Sequence, residues 1–158
     1  MIYLYREVPQ MMSYKSLQEV MAITVNWERK LDDLYEVALI GVKNEESKKL
    51  VSFLVERQKA NLEVLEGIDV KKYGPDEWIQ FAGGGYSEKD LIPDHEIHRD
   101  STPEQIFDAI LQYELKLEKF YGMISEHVAS DTQRDLFGSL RTFKAGQTER
   151  IENFVRAN

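Results

Sequence analysis

Two glutamates, Glu28 and Glu114, share one local pattern: each precedes a leucine by three residues (Leu31, Leu117) and a tyrosine by seven (Tyr35, Tyr121). On a helix, steps of three and seven stay on one face, so each carboxylate shares a face with apolar side chains. A carboxylate is costly to bury there unless it is paired with a cation or binds a metal. Thirty residues further on come two polar pairs with i, i+3 spacing, Gln58 with Asn61 and Lys144 with Gln147. They also fall on inward faces, and each pair points one way. The six positions outline a polar centre, and the chemistry open to it is metal ligation or internal ion pairing.

The six positions are related by an internal repeat. Residues 27–66 match residues 113–152 at an offset of 86, with nine identities in 40 ungapped positions. Among them are Glu28/Glu114, Leu31/Leu117, Tyr35/Tyr121, Leu50/Leu136 and Leu54/Leu140. Glu63/Glu149 and Glu66/Glu152 also match and offer a rival, all-carboxylate register. At about 100° per residue, Glu63 lies nearly opposite Leu50 on its helix, and Glu149 stands the same way to Leu136. The rival set is therefore expected on the outside.

Two weaker constellations lie elsewhere. Asp94-His95-Glu96-Ile97-His98 gathers two of the three histidines between acids. His95, Glu96 and His98 form a surface candidate for zinc or nickel, although such a cluster is more often a solvated loop. Gly83-Gly84-Gly85 lacks the preceding strand and the following Lys-Ser/Thr of a phosphate cradle. The flanking Trp78, Phe81 and Tyr86 are expected to pin this segment onto the body of the protein.

Four helices must carry the polar centre. Ser16-Leu17-Gln18-Glu19, Thr102-Pro103-Glu104-Gln105 and Ser130-Asp131-Thr132-Gln133 each read as capping boxes, and Asn44 is a good N-cap. Gly67 is a natural stop for the second helix. The apolar spacing agrees, and it predicts helices over 17–43, 45–66, 103–129 and 131–156. Short links make each consecutive pair antiparallel. The Gly- and Pro-bearing stretch 68–101 is long enough to return along the bundle. The expectation is all-α: a single domain over 1–158, a four-helix bundle of two antiparallel helical pairs joined by a long crossover.

Composition narrows the function. The chain of 158 residues has 20 Lys and Arg against 28 Asp and Glu, a net charge of −8, and no Cys. Such an acidic chain lacks the basic footprint that nucleic acid requires. Disulfides, thiolate metal sites and cysteine nucleophiles are absent together. No apolar run approaches the ~20 residues that span a bilayer. The opening MIYLYREVPQMMSYK has no long apolar segment or small-residue cleavage site, so a cytoplasmic location is expected.

With these residues in view, the chain resembles the ferritin-like superfamily and, within it, the rubrerythrin-like branch. That branch carries E-x6-Y in the first helix of each pair and L-F-x-x-L-x-x-x-E-x-x-H in the second. Glu28 to Tyr35, Glu114 to Tyr121 and Leu136-Phe137-x-x-Leu140 match. The resemblance implies that Glu28 and Glu114 stand where two metal carboxylates stand, with Tyr35 and Tyr121 beside them. It also implies a di-iron or di-manganese centre, and homodimers paired through helix faces.

The second-helix motifs depart from that pattern. Gln58-x-x-Asn61 and Lys144-x-x-Gln147 replace both Glu-x-x-His motifs. The intact centre offers four carboxylates and two imidazoles. Here two carboxylates and one ammonium leave a single negative charge, and an ammonium has no lone pair for a metal. The expectation is a vestigial di-metal centre with no cofactor. Lys144 is then the counter-charge to Glu28 and Glu114, and Gln58, Asn61 and Gln147 complete a hydrogen-bonded core. The role is structural, interaction or small-molecule binding and more non-enzymatic than enzymatic. The alternative is an iron or manganese protein that reduces peroxide or handles iron through atypical ligands.

Overall fold

The computed structural model describes residues 12–73, 78–82, 101–128 and 130–157. Strand β1 (Met12–Ser16) leads into helix α1 (Leu17–Gly41), followed by α2 (Glu45–Glu66) and a 3₁₀ turn (Val70–Tyr73). Strand β2 (Trp78–Ala82) lies in the crossover, and α3 (Pro103–His127) and α4 (Asp131–Ala157) complete the chain. Two antiparallel helical pairs, α1–α2 and α3–α4, pack side by side, and α1 contacts α3 across the middle. The all-α four-helix bundle with a long crossover is the architecture of the chain.

Capping chemistry sets the helix starts. Asn44 Oδ1 accepts from the Glu46 and Ser47 amides at 2.8 and 3.2 Å. Thr102 forms a full capping box with Gln105, both bonds being present. The other two starts are capped by serine hydroxyls. Ser16 accepts from the Glu19 amide without the return bond from Glu19. Ser130 accepts from the Gln133 amide, while the Gln133 side chain donates to the Tyr73 carbonyl at 2.6 Å. That bond ties the start of α4 to the 3₁₀ turn.

The ends differ slightly from expectation. Helix α1 stops at Gly41 because Val42 turns extended while its amide still closes on the Ala38 carbonyl at 2.9 Å. Gly67 follows α2 directly, but its φ of −87° is right-handed, so the stop does not use glycine's special freedom.

The strand pair is the element that the periodicity missed, and β2 ends directly before Gly83, which corrects the expectation that no strand precedes the three glycines. β1 and β2 pair antiparallel, with Met12 opposite Ala82 and Ser16 opposite Trp78. Each strand is five residues long, and neither shows a clean alternation. β2 lies against α3, and Ile79 is buried there. Trp78, Phe81 and Tyr86, the expected aromatic pins, fall outside the described side chains, and Gly83–Gly85, His95, Glu96 and His98 fall outside the described residues altogether.

The core runs the length of the bundle. Leu31, Tyr35 and Ala38 on α1, Leu54 on α2, Leu117 and Ile124 on α3, and Phe137 and Ile151 on α4 are buried in one cluster. Trp27 meets Phe120 edge-on at 4.6 Å. Within this apolar cluster lie Glu28, Gln58, Glu114 and Lys144, each wholly shielded from solvent.

Candidate functional site

The geometry of the centre follows from one spacing used twice. Seven residues on a helix span two turns, about 10.5 Å. Because α1 and α3 run antiparallel, Glu28-x6-Tyr35 and Glu114-x6-Tyr121 bring each tyrosine level with the other helix's glutamate. The Tyr35 hydroxyl donates to Glu114 Oε1 at 2.6 Å, and the Tyr121 hydroxyl donates to Glu28 Oε1 at 2.6 Å. The two halves of the repeat thus exchange hydrogen bonds.

The second helices break this symmetry. Lys144 from α4 places Nζ 2.6 Å from Glu28 Oε2 and 3.3 Å from Glu114 Oε2. Its counterpart in the repeat, Gln58 on α2, donates Nε2 to Glu28 Oε2 at 2.6 Å and to the Glu28 carbonyl at 2.9 Å. Lys144 also donates to Gln58 Oε1 at 3.4 Å. Glu28 therefore receives Tyr121, Gln58 and Lys144. Glu114 receives Tyr35, and its Oε2 faces the ammonium at ion-pair distance without an aligned hydrogen bond. Coulomb attraction at 3.3 Å does not need alignment, so the ion pair and the missing hydrogen bond are compatible.

Electrostatics follow the same asymmetry. Burial pushes the Glu114 carboxyl above the usual carboxylate range; Lys144 opposes this, Glu28 adds to it, and the Tyr35 hydrogen bond opposes it again. Burial also holds the Tyr35 and Tyr121 hydroxyls well above the usual phenol range, reinforced by the carboxylates to which they donate.

Asn61 and Gln147 correct the expectation of one closed polar network. Both are buried, yet neither reaches a carboxylate of the centre through a hydrogen bond. The Gln147 carbonyl accepts instead from Arg57 Nε at 3.2 Å. The Asn61 amide nitrogen has no hydrogen-bond partner, and the Gln147 amide, without an aligned bond, lies close enough to the Tyr35 hydroxyl to oppose the upward push on it. Asparagine is one methylene shorter than the glutamine at 58, which limits its reach, while the arginine draws the Gln147 carbonyl to itself. In the rival register, Glu63 and Glu149 are exposed, Glu66 pairs with Arg29 at 2.9 Å and Glu152 with Arg156 at 3.7 Å.

Arg57 and Tyr113 are residues that sequence reasoning passed over. The Tyr113 hydroxyl donates to the Trp27 carbonyl at 3.2 Å. Trp27 and Tyr113 are the first positions of the two repeats, so the offset of 86 carried the signal. Arg57 stands beside Gln58 and carried no signal of its own.

Among the described residues, no group of three or more His, Cys, Asp and Glu side chains is placed to hold a metal ion. The donor set at the centre is two carboxylates, two tyrosine hydroxyls, one amide and one ammonium. An ammonium between the carboxylates has no lone pair to give a metal and repels a cation, so these residues do not fit a di-metal cofactor. Among the described residues, no helix is long and apolar enough to cross a membrane.

No family model and no curated protein matches the chain. A solved structure described as CopM in the apo form superposes with a TM-score of 0.56, covering 89% of this chain and 96% of that one, at 10% sequence identity. The likeness supports the helical-bundle fold.

Proposed function

We propose that this chain is a ferritin-like bundle of the rubrerythrin-like type whose buried lysine stands in for a metal centre, and that it serves as a structural, interaction or small-molecule-binding protein. The observation that carries this reading is Lys144 Nζ lying 2.6 and 3.3 Å from the two carboxylates that the resemblance assigns to metal. The repeat puts Gln58 and Lys144 at equivalent positions, and both bind the same Glu28 oxygen. A centre built this way holds four helices in register through directed polar contacts, a role attested for buried polar groups elsewhere. The ammonium between the two carboxylates repels a cation, which favours this reading over peroxide reduction or iron handling. A single domain over 1–158, a cytoplasmic location and a homodimer belong to the same reading.

The test is metal analysis of the purified full chain after incubation with ferrous iron or manganese and desalting. Retention well below one metal per chain is expected. Stoichiometric binding that is lost in Glu28→Gln and in Glu114→Gln would overturn the reading in favour of a metalloprotein with atypical ligands.

A further inference from the structure

The cations of α2 and α4 follow a rule with informative exceptions. Lys48, Lys49 and Lys59 on α2 pair with Glu45, Glu46 and Glu36 at 3.8, 3.9 and 2.7 Å. Arg134 and Arg156 on α4 pair with Asp131 and Glu152. Such matching is easily met in a chain with 28 acids and 20 bases. Among the described residues Arg57 and Arg150 have no carboxylate within ion-pair distance. Arg141, the other arginine of α4 without one, packs along Gly122 on the α3 side.

Arg57 and Arg150 meet on the same ring. The Arg57 guanidinium lies 5.7 Å from the Phe53 centroid and 5.2 Å from that of Phe143, and Arg150 lies 4.7 Å from Phe53. Phe53 is 37% exposed, Arg57 is half-buried and Arg150 is exposed. Phe53 and Arg57 belong to α2, while Phe143 and Arg150 belong to α4, so the cation–π cluster bridges the seam between these helices, with Lys144 Nζ 5.5 Å from the Phe143 centroid.

A guanidinium drawn to a ring by its positive charge still has N–H donors to offer. Those donors can grip a carboxylate or phosphate in fork geometry. Arg57 spends Nε on Gln147 and keeps its terminal nitrogens. The rings reduce the freedom of both side chains, so less ordering cost remains for a ligand. In a chain of net charge −8 the long-range field repels anions, so capture rests on directed contacts.

We propose that the α2–α4 seam at Phe53, Arg57, Phe143 and Arg150 binds a small ligand through an oxyanion group, a phosphate or a carboxylate held by N–H donors of the two guanidinium groups. The exposed part of Phe53 supplies an apolar wall for the rest of the ligand. This site is independent of whether the buried centre ever held metal.

Arginine Nε–Hε resonances of the full chain, titrated with sodium phosphate and separately with sodium acetate, test it against sodium chloride at matched ionic strength. Saturable shifts of Arg57 and Arg150 with at least one oxyanion are expected, and the stronger arm identifies the headgroup. Arg29, paired with Glu66, is expected to move no more than in chloride. Arg150→Gln, at an exposed position, should weaken binding by about tenfold while circular dichroism stays unchanged, and Arg150→Lys should weaken it as well. Shifts equal to those in chloride, shifts spread evenly over all arginines, or full affinity in Arg150→Gln would each overturn the proposal.

Discussion

Lys144 and Glu28 are 116 positions apart in sequence, and they meet at 2.6 Å with neither side chain touching solvent. Such a pair adds little net stability, because desolvating each ion costs several kcal/mol that the attraction must offset. Removing one member is another matter, since the remaining charge is left buried and unpaired. Lys144→Met should therefore destabilise the bundle by about 3–5 kcal/mol, read as a lower urea midpoint at neutral pH. The triple variant Glu28→Gln, Glu114→Gln, Lys144→Met removes the charges together and should be more stable than Lys144→Met alone. Equal stability of Lys144→Met and the parent would show that the ammonium is not the counter-charge.

The two tyrosines should not be equivalent. Tyr121→Phe leaves Glu28 with Gln58 and Lys144, whereas Tyr35→Phe strips Glu114 of its aligned donor. A hydrogen bond to a charged group contributes about 1.5–3 kcal/mol. Tyr35→Phe is expected at or above the top of that range and Tyr121→Phe near the bottom, both measured by chemical denaturation. The reverse order would contradict the asymmetric geometry of the two carboxylates.

Stability should fall as pH rises through the range where Glu114 ionises. Its carboxyl lies above the ordinary range in the folded state, chiefly through burial, so the native state holds this proton more tightly than the unfolded chain. The associated stability is complete below the ordinary glutamate pKa and is lost as pH climbs through the raised value. Glu114→Gln removes this dependence, so its stability relative to the parent should grow with pH across that window. Asp32 is shifted the same way, also mainly by burial, and Asp32→Asn gives the matching control. Tyr35 and Tyr121 act at the alkaline end, where their raised values make stability drop once unfolded tyrosines ionise. A phenolate absorbance titration should show both ionising only as the bundle unfolds.

Much of the fold was legible because it rests on local rules. The helix starts at Leu17, Glu45, Pro103 and Asp131 are written in Ser16, Asn44, Thr102 and Ser130, whose side chains need only reach three residues ahead. Burial of Glu28, Gln58, Glu114 and Lys144 was legible from helical spacing and the repeat. What was not legible depends on reach across space. Gln147 faces Arg57 because of where an arginine head on another helix settles, and no pattern within α4 encodes that. The pairing of β1 with β2 joins two five-residue segments across the whole first helical pair, and their short, mixed sequences carry no periodic signal.

Restoring the missing ligands gives the sharpest consequence of the resemblance. Gln58→Glu, Asn61→His, Lys144→Glu and Gln147→His together replace the ammonium with a carboxylate and rebuild two Glu-x-x-His motifs on the inward faces of α2 and α4. The centre would then hold four buried carboxylates with no cation, so the metal-free variant should be markedly less stable than the parent. Iron or manganese should bind it and raise its melting temperature with metal concentration, because a ligand bound only by the folded state stabilises by mass action. The parent should show no such dependence. Arg57, which holds the Gln147 carbonyl in the parent, lies where it would compete for the histidine introduced there, so adding Arg57→Leu should tighten the metal further. A variant that folds but binds neither metal would count against the correspondence of these six positions with a metal centre, even with Lys144 confirmed as counter-charge in the parent.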